Sequence, residues 1–142
     1  MAERPRKTTL PGTDSVTVAI PTIALGSDDD QVVWTNKTGA KVRMTKVTVT
    51  PEDSVTGNDT NNLKLQLRNK GLLGVGSVGV TGVKEYDTGT DLTAFKPDEL
   101  VLSSTLTERD VDVDETVALN KTETGSGLPL PQSVVTLEFQ YV

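Results

Sequence analysis

A chain of 142 residues with a formal net charge of −6 contains neither cysteine nor histidine. That excludes disulfides, thiolate metal sites and a cysteine nucleophile, and it removes the commonest general base and the commonest transition-metal ligand, so an enzyme is disfavoured. The acidic balance also argues against a general nucleic-acid binder, which needs a basic footprint.

A single domain of this length buries about two thirds of its unfolded surface and needs no staple to fold. No apolar run approaches the roughly 20 residues of a membrane helix, and residues 1–12 carry no segment resembling a secretory signal. The expectation is a soluble protein made in the cytoplasm, without membrane contact or cofactor. Threonine and valine recur among twelve glycines and seven prolines, a strand-and-turn vocabulary that leaves almost no helix.

In chain order, residues 1–15 read as an extended arm. It holds Arg4, Pro5, Arg6, Lys7, Leu10 and Pro11, and is locally basic on an acidic body; it is either an unengaged terminus or an arm that docks on a larger acidic neighbour. Residues 16–142 read as one sandwich domain. Val16, Val18 and Ile20 alternate with polar or small residues until Pro21, which marks an edge strand or a break. Gly26 to Asp30 reads as a solvated acidic turn rather than a calcium loop, since no second ligand set stands at EF-hand spacing.

Gln31 to Thr35 is a short strand with Trp34 as a buried or interface anchor, and Asn36 to Gly39 a turn. In the strand of residues 40–50, Val42 and Met44 share one parity while Val47 and Val49 share the other, which predicts a bulge. A polar loop follows, then Leu63, Leu65 and Leu67 alternate with Lys64, Gln66 and Arg68. Asn36, Asn58 and Asn120 open Asn-x-Thr sequons and are read as turn residues. Gly74 to Gly79 fits G-x-G-x-x-G, but Val80-Thr81-Gly82-Val83 opens no helix for a pyrophosphate, so a glycine-rich strand or loop is the reading.

Residues 83–87 predict a short strand, Leu92 to Phe95 a packed segment, and Leu100-Val101-Leu102 a strand buried on both faces. Asp110, Asp112 and Asp114 alternate and are expected on one strand face, as a solvated edge or a cation site. Residues 117–122 and 133–142 then form two strands around a glycine-proline turn. In the second, Val135, Leu137, Phe139 and Tyr141 share a face, and the strand is expected inside a sheet. About eight strands at this spacing predict an all-β antiparallel two-sheet sandwich, jelly-roll-like.

Val47-Thr48-Val49-Thr50-Pro51, the run Thr56 to Leu65, Asn69-Lys70-Gly71, the run Thr116 to Pro129 and the closing Val135-Thr136-Leu137-Glu138-Phe139 together resemble the β-rich structural proteins of tailed bacteriophages. The likeness is to small capsid decoration, or cement, proteins and head-fibre base domains, and covers roughly residue 31 to the C-terminus. Asp114-Glu115 departs from the Gly-Asp of that pattern. The resemblance implies a sandwich, often trimeric, on the outer surface of an expanded head, bridging capsomers of the major capsid protein. On that view Arg4, Arg6 and Lys7 pair with acidic capsid residues, while Leu10 and Pro11 pack in a groove. The rival is a glycan- or receptor-binding module of a fibre or head appendage, which wants exposed aromatic rings; a glycosidase would need two facing carboxylates.

Overall fold

The computed structural model describes residues 12–142. Ten strands run in the order β1 (Thr13–Ile20), β2 (Asp29–Thr35), β3 (Val42–Pro51), β4 (Asn62–Asn69), β5 (Val78–Gly79), β6 (Lys84–Glu85), β7 (Asp98–Leu100), β8 (Asp110–Val111), β9 (Thr116–Thr124) and β10 (Ser133–Tyr141), with one 3-10 turn at Leu106–Arg109. One sheet has the order β1-β10-β3-β7, with β8 also on β3; the other has β2-β9-β4-β5, with β6 also on β4. All pairings are antiparallel. Because β5 and β6 share one position and β7 and β8 another, ten strands fill eight places, and successive places alternate between the sheets except at the step from β4 to β5 and β6, which stay in one sheet. This is the jelly-roll-like sandwich the strand count predicts.

The closing strand lies between β1 and β3, inside its sheet as expected. Val135, Leu137 and Phe139 are buried, whereas Tyr141 is part-exposed at the strand's end. The bulge also stands where the change of parity put it. Glu138 faces Lys46 and Phe139 faces Met44, so Thr45 is the extra residue. One added residue returns the strand to phase, and Val42, Met44, Val47 and Val49 are all buried. Leu63, Leu65 and Leu67 meet them from β4, each contributing about 1.5–3 kcal/mol relative to exposure. Trp34 packs half-buried against this core and stacks on Phe139 with ring centroids 5.0 Å apart.

Several expectations are corrected. Thr13, Asp14 and Ser15 already pair with Gln140, Phe139 and Glu138, so the first strand begins before residue 16. Leu100 is buried, but Val101 is exposed: the strand ends at Leu100 and its continuation crosses to the other sheet through the Thr81↔Leu102 bridge. Leu92 is buried while Phe95 points outward from a turn with φ 61°. Asn120 is no turn residue; it lies in β9 and donates to Asp30. Asp110, Asp112 and Asp114 do not share a strand face, because β8 ends at Val111 and Asp114 sits at φ 68° in the following turn.

Candidate functional site

The alternation of strands between sheets gives the sandwich two ends with different loops. One end gathers residues 36–41, 70–77 and 112–115 together with the start of β1 and the end of β10. Tyr141 N–H donates to the Gly12 carbonyl there and Val142 N–H to that of Lys41, so the N-terminal arm departs from this end. The candidate arm residues Arg4, Pro5, Arg6, Lys7, Leu10 and Pro11 lie outside the described residues. At the opposite end are residues 21–28, 52–61, 86–97 and 125–132.

Two buried asparagines frame the arm end. Asn36 Nδ2 donates to the carbonyls of Ala40 (2.8 Å) and Val111 (2.9 Å), while its Oδ1 accepts from Thr38 N–H and Oγ1. Asn69 donates to the Asp110 carbonyl and to Glu115, and accepts from Gly71 N–H. Asparagine suits these places because one side chain answers both donors and acceptors of loops that have no ladder partner. Beside them Arg43 holds Asp110 by two bonds, Nε to Oδ1 at 2.6 Å and the second nitrogen to Oδ2 at 3.0 Å. Hydrogen bonding from Arg43 keeps the Asp110 carboxyl below its ordinary range against the opposing effect of burial.

Between these frames the loop from β4 to β5 carries Leu72, Leu73 and Val75, which are 69%, 86% and 82% exposed. Gly71 and Gly74 take positive φ, and Gly76 N–H closes the loop on the Lys70 carbonyl. The turn chemistry is satisfied, yet its apolar side chains face solvent. Leu106, half-exposed, stands on the 3-10 turn that packs beside β5. Sequence reading placed a glycine-rich loop or strand here and missed its apolar surface. The available signal was three large apolar residues between glycines, with no partner run at matching period.

The opposite end is closed by an ammonium group. Lys121 is fully buried in phase with Val117 and Leu119, and its Nζ donates to the Ala24 (3.3 Å) and Ser27 (3.0 Å) carbonyls and pairs with Glu123 at 3.2 Å. Glu123 in turn accepts from Gly26 N–H. A Cβ at Gly127 would run into that carboxylate. Tyr86, also fully buried, donates to Asp98 at 2.6 Å, and burial followed by this bond drives its phenol far above its usual range. Sequence reading did not single out Lys121 or Tyr86; only contact with the distant residues 24–27 and with Asp98 gives them their roles.

The expected acidic turn stops at Asp28, because Asp29 and Asp30 already pair with β9 in β2. Asp30 accepts from Asn120 and Lys70, and although burial pushes its carboxyl up, those bonds bring it below its usual value. Among the described residues no group of three or more carboxylates is arranged to hold a metal ion. The exposed ring of Phe95, whose N–H bonds the Pro51 carbonyl, and the part-exposed ring of Tyr141, opposite Val42, stand at the two ends of β3. They form no common platform for a sugar.

No family model matches the chain, and no curated protein matches it in sequence. Among solved structures, a chain described as "Structure of infectious bursal disease virus Gx strain" superimposes with a TM-score of 0.45 at 8% identity, over 99% of this chain and 37% of that one. The present chain thus spans little more than a third of that chain's length, and the overlap is too loose to carry a functional inference.

Proposed function

We propose that this chain is a structural, non-catalytic protein of a viral particle, one that sits on the outer surface of an expanded phage head and bridges neighbouring capsomers, acting as a homotrimer. The observation that carries this reading is the apolar loop at the arm end. Leu72, Leu73 and Val75 are displayed together on a glycine-framed loop beside Leu106, in a chain whose net charge is acidic. Contiguous exposed apolar groups of this kind mark protein interfaces, and a rigid sandwich presenting them at one end suits attachment to a broad surface. The phage-like strand-and-turn phrases point to a shell as that surface. Three loops acting together bind through effective concentration even where each is weak.

The glycan-binding alternative gains no observation here, because the exposed rings stand apart. The direct test is co-sedimentation of the purified chain with expanded heads that lack it. Saturable binding at a fixed ratio per capsomer, with heads gaining heat resistance, is the expected result. Failure to sediment at micromolar protein would remove the shell reading.

A further inference from the structure

Three depressions run together along the side where the sheets meet through β5, β6 and β7. A cleft of about 380 Å³ beside Glu108, Asp110, Asp112 and Glu115 shares Glu108 with a depression of about 350 Å³ over Gly79, Thr81 and Ser103. That depression shares Gly82 and Val101 with a hollow of about 180 Å³ at Val83 and Lys84. The floor of the second depression and the hollow is the seam itself, where Gly82 N–H donates to the Val101 carbonyl and Ser103 N–H to that of Val80. The result is one trough, acidic at the arm end, lined by glycine and hydroxyl residues in its middle, and apolar at Val83 and Val101, both more than half exposed.

The acidic end is unbalanced. Arg43 answers Asp110, which leaves Glu108, Asp112 and Glu115 facing Lys41 alone in the cleft. The densest basic run of the sequence is in the arm, with Arg4, Arg6 and Lys7 within four residues against Glu3, followed three residues later by Leu10. We propose that this trough receives the N-terminal arm, residues 1–11, of a second copy of the chain, with Arg4, Arg6 and Lys7 at the carboxylates and Leu10 in the hollow between Val83 and Val101.

The lengths agree. Val78 and Lys84 stand opposite Asn69 and Leu65 of β4, four ladder steps or about 13 Å apart along the trough wall, and the six residue steps from Arg4 to Leu10, about 20 Å when extended, cover that wall and the carboxylates beyond it. Chain connectivity decides whose arm it is. Gly12 is fixed beside Tyr141 on the β1 side of the sheet, and β7 is three strand spacings away in the order β1-β10-β3-β7, about 14 Å. Leu10, two residues before Gly12, reaches about 7 Å. A chain therefore cannot seat Leu10 in its own hollow, whereas a neighbour's arm arriving from outside can. Such a contact joins different surfaces of the two copies, and repeated around an axis it closes a ring. The arm, on this reading, ties copies to one another rather than to a shell.

The natural chain has no cysteine, which permits a clean test on the full-length protein. Leu10→Cys and Val101→Cys are introduced in one chain, and separately as single variants that are then mixed; Val101 is exposed. After oxidation, the double variant is expected to run as covalent multimers, and the mixture to give a disulfide dimer containing one of each variant. Arg4→Glu, Arg6→Glu and Lys7→Glu together should weaken self-association at least about tenfold in sedimentation equilibrium, and Glu108→Lys with Asp112→Lys in the same chain should restore it. A wild-type chain that is monomeric at micromolar concentrations, cross-links only within one chain, or association untouched by arm reversal would each overturn the proposal. No shell is used, so failure here is distinct from failure of head binding.

Discussion

The two ends of this sandwich solve loop closure differently. At the end opposite the arm, a fully buried lysine, its glutamate and two backbone carbonyls lock residues 24–27 onto β9, and Tyr86 with Asp98 closes the side. At the arm end, Asn36 and Asn69 satisfy the backbone while Leu72, Leu73 and Val75 are left facing water. The first arrangement uses its charges for the fold. The second separates framing from display, so its apolar groups are free to meet a partner without loss to the core.

Breaking the lock should have the largest effect. Lys121→Ala leaves Glu123 buried without its cation and two carbonyls without a donor, and is expected to lower the unfolding free energy by about 3–5 kcal/mol in urea titration. Asn36→Ala should come next, at about 1–3 kcal/mol, because it strands the Val111 carbonyl and the Thr38 N–H, while the Ala40 carbonyl keeps the Thr38 hydroxyl, and it removes no buried charge. If the two losses were equal, the contrast between a charged lock and a neutral frame would fail.

The lock end should also show itself at high pH. Tyr86 has its folded pKa raised, so the stability it contributes is fully present below the unfolded phenol value near about 10 and is lost as pH rises above it. Above that point unfolding should become easier by up to about 1.4 kcal/mol per pH unit for this one proton. Tyr86→Phe should remove that component of the alkaline slope. An unchanged slope would mean the phenol ionises without unfolding. At the arm end the corresponding group acts in acid: Asp110, depressed by Arg43, supports the fold above the unfolded carboxylate value near about 4, and that support fades as pH falls through its lower folded value.

The sequence made the regular parts of this molecule legible through period and parity. Leu63, Leu65 and Leu67 announced β4, and the switch from Met44 to Val47 announced a bulge that the pairing of Phe139 with Met44 realises. What stayed hidden depends on contacts between segments distant in the chain. Nothing local distinguishes Lys121, 97 residues from Ala24, from the outward Lys64 of β4. Consecutive Leu100, Val101 and Leu102 looked like a doubly buried strand, but the chain leaves its sheet there and Val101 turns outward. Period two put Asp110, Asp112 and Asp114 on one face, and a turn after Val111 takes Asp112 and Asp114 off the strand. The candidate interface was the least legible feature, since exposed leucines and buried leucines are spelled alike and only the fold tells them apart.

The most direct test of the contrast between the ends is one variant measured twice. Leu72→Asp, Leu73→Asp and Val75→Asp are combined, and both urea unfolding and co-sedimentation with expanded heads are recorded. An unfolding free energy within about 0.5 kcal/mol of wild type per substitution, as for surface sites, together with lost head binding, is the predicted result. Undiminished binding, or collapse of the fold, would contradict the view that this end displays apolar groups for a partner rather than for the core.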